Sequence, residues 1–506
     1  MNPDRPPLDL SEREAPRIPL YRTIADGVIR DVRSGRYVEG ERLPASRDLA
    51  RKLGVNRATV HQALRVLKDE GWVDTNRGGG TRIARRSAAA PVLGPSPAWD
   101  RLASTLLSRV MAEPAVSELA GGTRYDLSRL APDEREFPAE AFAVLLAEVA
   151  RDGALLSYGS PFGYRPLREA LAERLRRRGI PADPDALLIV NGAQQGLDLI
   201  TRALVDPDDG VAVEEPSYSG ALTLFRLHRA RLLGVALDRE GPALEPLRAV
   251  LAERPKLLYT MPDFHNPTGL LIRPRRREEL LQAAVAAGVP VVEDAFDADL
   301  SVEGELPPPL AALAPAQVVH LGTLSKALFP GLRVGWVAGP RELVHRLAAL
   351  KRIGELTSPP VLQAAVHLFL VRGEYDRHLA RTRTRLKGRL ALAHRTILDR
   401  FPAGTRCERP SGGWVLWPEL PSGVTGHALA AACREAGVLV SPGADFDPAR
   451  RDLPAVRISV SRGSADELET ALALVGEKAR SLARAAARRA AAEDGASRRE
   501  EELIQV

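Results

Sequence analysis

The chain has 506 residues, enough for two to four domains with sizeable cores. Lys and Arg number 71 against 65 Asp and Glu, a formal net charge of +6, an excess too modest to require or exclude a nucleic-acid partner. Two cysteines without paired spacing, Cys407 and Cys433, exclude a disulfide framework or a cysteine-based zinc site. A charged, proline-bearing start and no apolar run of roughly 20 residues argue for a soluble, cytoplasmic protein.

Residues 1–19 are charged, punctuated by proline, and read as a flexible arm. From 20 to 34, Ile24, Val28, Ile29 and Val32 recur at helical spacing, which predicts a helix with one apolar stripe. A second helix is expected after Pro44-Ala45, capped by Ser46 and turning Leu49, Ala50 and Leu53 to one side. Gly54-Val55 supplies the break, and Asn56 suits the cap of a third helix bearing Val60, Ala63, Leu64 and Leu67. Two short strands, 71–75 and 81–84, then flank a basic, glycine-rich tip at 76–80. Helix, tight turn, helix and β-hairpin are the parts of a DNA reader.

In order and spacing, Leu43-Pro44-Ala45-Ser46-Arg47, Leu53-Gly54-Val55-Asn56-Arg57-Ala58-Thr59-Val60, Gly71-Trp72 and Gly80-Thr81 resemble the GntR family of bacterial winged-helix repressors. The resemblance covers about residues 18–84. It implies a domain over 20–84 that binds a double-stranded DNA operator, with Arg47, Asn56 and Arg57 at the DNA and Thr59 near a phosphate. It also brings Arg77, Gly78 and Gly80 of the wing close to the DNA backbone. Members often carry arginine two residues after the Thr59 position. Here His61 stands there, which changes the expected base preference. Any one arginine alone reads equally well as a solvated surface charge, but four basic groups on one turn-helix-wing unit do not.

Residues 85–125, with Pro91 and Gly94-Pro95-Ser96-Pro97, read as a linker containing a short helix within 99–112. From 126 to 475 apolar strands alternate with amphipathic helices: 187–190, 211–214, 257–259, 291–293 and 318–321 are the strands. That alternation predicts an α/β fold with a mainly parallel sheet, helices on both faces, and ligand chemistry at the strands' carboxyl ends. The tail, 476–506, reads as a continuing helix that becomes mixed-charge, and no function is assigned to it.

The polar motifs fall at those carboxyl ends. Lys326 lies in Thr323-Leu324-Ser325-Lys326, with Arg333 seven residues on, which suits an amine that forms an imine beside a phosphate. Asn191-Gly192-Ala193-Gln194-Gln195 turns from strand into helix, where small residues let main-chain N–H groups and the positive helix end grip a phosphate. Asp294 ends a buried strand, where a carboxylate can pair with a pyridinium nitrogen. Asn266, in His265-Asn266-Pro267-Thr268-Gly269, offers an amide, and Tyr218 offers a ring for stacking. Arg457 suits a ligand carboxylate held in a bidentate fork.

Over 126–475 this set resembles the fold-type I pyridoxal-phosphate (PLP) enzymes of the aspartate aminotransferase superfamily. With the GntR-like head, the whole chain resembles the MocR/GabR family of transcriptional regulators. The resemblance implies a smaller C-terminal α+β subdomain and a PLP Schiff base at Lys326. It implies Asp294 at the pyridine nitrogen, Asn266 at the 3-oxygen, Tyr218 stacked, and Gly192, Ala193, Gln194, Thr323, Ser325 and Arg333 around the phosphate. Tyr158 resembles a tyrosine that reaches the phosphate from the partner subunit, which implies a domain-swapped homodimer. Two departures stand out. Phe296 occupies the place, two residues after Asp294, where the family often has a tyrosine that donates to the 3-oxygen, and Ser219-Gly220 replace the arginine that holds a distal carboxylate in the GABA-responsive relative. The expectation is a PLP-dependent DNA-binding regulator that senses an amino compound, or PLP itself, through Lys326. A working aminotransferase of an α-amino acid that carries a DNA head, and a dimerisation scaffold with no small-molecule role, are the alternatives.

Overall fold

In the computed structural model, which describes residues 19–76, 80–84, 102–112 and 123–504, the chain forms two compact units, Met1–Ala103 and Ser104–Val506. The first contains helices α1 (Leu20–Arg33), α2 (Ser46–Leu53) and α3 (Arg57–Asp69), followed by an antiparallel hairpin of β1 (Val73–Asn76) and β2 (Gly80–Ile83). The apolar stripe legible in the sequence is its core: Ile24, Val28, Ala63, Leu67, Trp72 and Ile83 pack together. Leu49, Ala50 and Val60 form a smaller cluster joining α2 to α3. The expected Ser46 cap is a correction. Ser46 is already helical, and Ala45 holds the cap position with no side-chain acceptor, while the Ser46 hydroxyl lies 3.4 Å from His61 Nε2 on α3. Gly54 closes α2 at φ 62°, a left-handed conformation that glycine adopts without steric penalty. Asn56 does cap α3, its Oδ1 accepting the Ala58 N–H at 2.8 Å.

Arg77, Gly78, residues 1–18 and residues 85–101 and 113–122 lie outside the described residues. Of the segment read as a linker, Thr105–Ala112 is a helix.

After the helix Thr105–Ala112, the second unit has β3 (Tyr125–Asp126) and then builds a sheet from β4 (Leu187–Val190), β5 (Gly210–Glu215), β6 (Arg231–Asp238), β7 (Gly241–Pro242), β8 (Leu257–Thr260), β9 (Val291–Asp294), β10 (Val318–Thr323) and β11 (Gly335–Ala338). Their order is β4-β11-β10-β9-β8-β5-β6-β7. The run from β10 to β6 is parallel, β11 is antiparallel to both its neighbours, and β7 is antiparallel to β6. Four of the five strands read from the sequence are buried end to end, because helices cover both faces. Along β4 the side chains alternate between two separate cores, Leu187 and Ile189 in one, Leu188 and Val190 in the other. The sequence reading missed β6, β7 and β11.

A smaller C-terminal layer contains β12 (Val415–Leu416), β13 (Val438–Leu439), β14 (Ser441–Pro442) and β15 (Val456–Ser459). In it β12, β15 and β14 form an antiparallel sheet, and β13 pairs in parallel with β3, so the start of this unit is stitched to its end. The helix Ala465–Ile504 runs without interruption through the expected tail boundary at 476. Among the described residues no helix is long and apolar enough to cross a membrane.

Candidate functional site

The turn between β4 and the helix Ala193–Leu204 is closely packed. Gly192 sits at φ 80°, and a Cβ added there would lie 3.1 Å from both terminal nitrogens of Arg333. The Arg333 guanidinium therefore lies directly over the glycine, donating to the Asn191 carbonyl. A Cβ on Gly335 in β11 would come within 2.9 Å of the Gly192 carbonyl carbon and 3.0 Å of Ala193 N. The inserted antiparallel strand thus presses Arg333, the turn and the helix start into one positively charged cradle. At the end of β10, Thr323 Oγ1 donates to Ser325 Oγ at 3.1 Å and accepts the Ser325 N–H at 3.2 Å.

Behind the turn is a network that the sequence reading did not identify. Glu355 accepts from Asn191 Nδ2 at 2.5 Å, Gln195 Nε2 at 2.7 Å and Ser358 Oγ at 2.9 Å, and pairs with buried Lys351 at 2.6 Å. Burial would raise the Glu355 carboxyl, but the hydrogen bonds from Lys351 and Gln195 outweigh it and hold the carboxyl below its ordinary value. The contacts to Asn191 and Gln195 span some 160 residues of sequence and leave no local pattern.

Lys326 faces a chamber of buried carboxylates. Its Nζ donates to the Leu130 carbonyl at 2.7 Å, and burial lowers its pKa. Asp294 is buried. Tyr259 donates to its Oδ2 at 2.7 Å, its Oδ1 has no partner, and burial raises its carboxyl to about 6. Asp297, also buried, accepts the Trp414 N–H at 3.3 Å and leaves its own Oδ1 unpartnered; burial raises it to about 7. Glu293, next to Asp294, is spent elsewhere: it accepts two main-chain N–H groups at Leu310 and Ala311 and pairs with His320. Adjacent carboxylates on one strand end point opposite ways because strand side chains alternate.

Asn266 and Arg457 meet in the same chamber, Arg457 Nη1 donating to Asn266 Oδ1 at 3.1 Å, which turns the amide N–H group away from the arginine. The second nitrogen, Nη2, donates to the Ser128 carbonyl and to Ser441 Oγ, while Nε has no partner and burial lowers the pKa to about 10. Tyr218 stands at the start of the helix Ser219–Leu227 and donates to Gln194 Oε1 at 3.2 Å, and burial, with Asp294 nearby, raises its pKa. Gln194 Nε2 in turn donates to the Gly220 carbonyl at 3.2 Å. Phe296 is buried among the apolar residues around Tyr259 and Val292. Tyr158 is 81% exposed, and its own chain does not bring it into the chamber.

In the first unit Arg47, Arg57 and His61 are exposed and Thr59 is half-buried. Among the described residues no carboxylate pairs with Arg47 or Arg57, in contrast to Arg22, Arg36 and Arg51, each of which has an acidic partner. Exposed cations near a helix start suit a phosphate contact. Arg42, which the sequence reading passed over, lies against Gly80 so closely that an added Cβ would be 2.6 Å from its Nε. The wing glycine therefore makes room for a cation at the hairpin tip.

Family models match both units: bacterial regulatory proteins of the gntR family over residues 20–83, and aminotransferase class I and II over residues 130–475. The HTH-type transcriptional regulator YisV of Bacillus subtilis is 32% identical over 92% of this chain and 97% of its own length. The probable rhizopine catabolism regulatory protein MocR of Rhizobium meliloti is 31% identical over 76% of this chain and 78% of its own. Among solved structures, LysN, an α-aminoadipate aminotransferase from Thermus thermophilus complexed with N-(5'-phosphopyridoxyl)-L-leucine, superposes with a TM-score of 0.72. It is 31% identical and covers 76% of this chain and 99% of that one.

Proposed function

The chain belongs to the MocR-type transcriptional regulators, in which a GntR-family DNA-binding head precedes an aminotransferase class I and II domain, and from that premise we propose that its pocket holds PLP and senses an amino compound through Lys326. The observation that carries this reading is the Lys326 chamber, in which an amine with a lowered pKa faces two carboxylates that each keep one unpartnered buried oxygen.

The residues fit PLP. An unpartnered buried polar atom usually marks a missing partner, and Asp294 Oδ1 is such an atom, suited to a protonated ring nitrogen. The Gly192–Arg333 cradle, which a single Cβ would fill, suits a phosphate. Gly192, Ala193, Gln194, Thr323, Ser325 and Arg333 would hold that phosphate, Asn266 the 3-oxygen, and Tyr218 the ring face. When bound, PLP supplies an electrophilic carbonyl carbon and an electron-withdrawing ring. Desolvation disfavours the charged form of Lys326 and lowers its pKa, which favours the nucleophilic amine over the ammonium. Arg457, with Nε still free, would orient a ligand carboxylate. Ser219 and Gly220 offer no cation for a distal carboxylate, which favours an effector other than a GABA-like compound. Arg47, Asn56, Arg57, Thr59, His61 and the wing with Gly80 would contact the operator.

A homodimer completes the proposal. The segment around Tyr158 and the helix end near Ile353 are tied together by Lys351 Nζ donating to the Pro161 carbonyl at 3.3 Å. Leu156, Tyr158, Ile353 and Leu356 are all more than half exposed. Large apolar side chains gathered on one surface suit burial by a second subunit, whose Tyr158 would then reach this chain's phosphate cradle.

The test is the absorption spectrum of purified protein with PLP, wild type against Lys326→Ala, followed by titration with an amino-acid panel. Binding to a duplex selected from a random pool is measured in parallel. A visible band that requires Lys326, shifts with one amine and changes duplex affinity with that amine is the expected result. No band in the wild type would overturn the cofactor reading. A band whose shift leaves DNA affinity untouched would overturn the sensing role.

A further inference from the structure

On β8, Tyr259 lies opposite Val292 of β9, and Asp294, two residues further along β9, projects from the same face of the sheet as Val292. The tyrosine ring spans that step, and its hydroxyl donates to Asp294 Oδ2 at 2.7 Å. Thr260, the next residue, projects from the opposite face and donates to a different carboxylate, Glu214, at 2.6 Å. Strand alternation thus sends two neighbouring hydroxyls to two separate acids.

Both ends of the tyrosine–aspartate contact are dry, Tyr259 being 0% exposed and Asp294 4%. The ring shares an apolar core with Val292 and Phe296 and meets the Phe225 ring edge-on, with centroids 5.8 Å apart. Among the described residues the hydroxyl has no acceptor other than Asp294. Burial holds the phenol well above its ordinary value, so it remains a donor. The outcome is a carboxyl group with unequal oxygens: Oδ2 is satisfied, and Oδ1 is buried without a partner.

We propose that Tyr259 is a positioning residue for Asp294: its hydroxyl pins one carboxylate oxygen, leaves the other free for a partner, and favours the anion that a protonated nitrogen needs there. In a dry site a hydroxyl stabilises a carboxylate more than the neutral acid, because a hydrogen bond to an ionised acceptor is the stronger one. The other groups that bear on Asp294 are His320 from β10, Lys326 from the loop after β10, the Phe296 N–H and Asp297 after β9, and Tyr218 before the helix Ser219–Leu227. None of them makes a hydrogen bond to Oδ1.

That the nitrogen belongs to PLP rests on the reading above; the pairing of tyrosine and carboxylate does not. Its test is a set of denaturant melts of cofactor-free full-length protein from about pH 4 to pH 8, for wild type, Tyr259→Phe, Asp294→Asn and the double variant. Burial raises the folded Asp294 carboxyl to about 6, so the stability it contributes is full below about pH 4 and lost as pH rises through 6. Removing the Tyr259 donor should carry that fall about one unit higher in pH, a tenfold change in proton affinity. Tyr259→Phe should therefore cost more stability at pH 8 than at pH 4, and in the Asp294→Asn background that difference should disappear. A cost equal at both pH values with Asp294 in place would overturn the proposal, since packing alone is blind to the proton. Should Tyr259→Phe not fold, wild type labelled with carbon-13 at tyrosine Cζ decides. One resonance should follow the Asp294 titration and cease to do so in Asp294→Asn, whereas tyrosine resonances that titrate identically in both proteins would overturn the pairing. Loading with PLP is scored separately by the visible band of the wild type, so failure of the cofactor reading and failure of this one are distinct outcomes.

Discussion

Asp294 shows how a single residue trades stability for function. Its buried carboxyl is raised to about 6, so between about pH 4 and pH 6 the folded chain holds a proton that the unfolded chain has released. Stability from this group is therefore full at low pH and lost as pH rises through 6. Asp294→Asn imitates the protonated form and should stabilise the cofactor-free protein at pH 8 by about 1–3 kcal/mol. The gain should vanish below pH 4, while affinity for PLP falls at every pH. Denaturant melts at the two pH values check the sign, and an equal gain at both would remove the titration argument. Asp294, Asn266, Arg333 and Lys326 were legible as residues because each sits in a short motif whose neighbours fix its chemistry. Asp297 was not, since the sequence marks only the absent hydroxyl at Phe296 and says nothing of the partner Trp414, more than a hundred residues away.

At the scale of elements, two helix starts carry the polar chemistry. On α3, Asn56 supplies the cap and Arg57 a free cation, and their substitutions should separate. Asn56→Ala should cost about 1 kcal/mol of head stability. Arg57→Ala should leave the melting temperature unchanged, weaken duplex binding and reduce the log–log salt slope by about 1. An unchanged salt slope would show that Arg57 does not meet a phosphate. On the helix Ala193–Leu204, the turn is braced from behind by Glu355. Glu355→Ala leaves Lys351 buried and unpaired and should destabilise the second unit by about 3–5 kcal/mol. Glu355→Gln, which keeps an acceptor but not the charge, should lose less, and equal losses would show that the charge paired with Lys351 carries the whole effect. Elements with uninterrupted apolar periodicity, such as α1 and β10, were legible; β6 and β11 were not. Gly234 and Gly335 dilute their pattern, and β11 owes its place to the hydrogen bonds it exchanges with β4 and β10.

At the scale of the whole molecule, the exposed cluster of Leu156, Tyr158, Ile353 and Leu356 makes a claim about assembly. Light scattering should give twice 54.7 kDa at micromolar concentration, and Tyr158→Ala should lower PLP affinity without changing that mass. A monomer that binds PLP as tightly as the concentrated protein would show that the site is complete within one chain. Coupling between the pocket and DNA is likewise a property of the whole chain. It exists only if an amine binds two arrangements of the protein with different affinity, and the reciprocal effect of the duplex on amine affinity must then have the same size.

By itself the sequence determined the two-unit architecture, the head with its capped recognition helix, the α/β sheet, and the motif residues that meet at the strands' carboxyl ends. These follow from periodicity, caps and short motifs, which are local. Tertiary structure alone decided that Ser46 turns to His61 instead of capping α2, that Glu355 braces the turn at Asn191 and Gly192, and that Arg457 orients Asn266. It alone tied the Asp297 side chain and the Lys326 main chain to one tryptophan, Trp414. Each of those contacts joins segments distant in sequence, and whether a side chain's polar atom is satisfied by its own helix, by water or by a remote partner is settled only when packing removes the water.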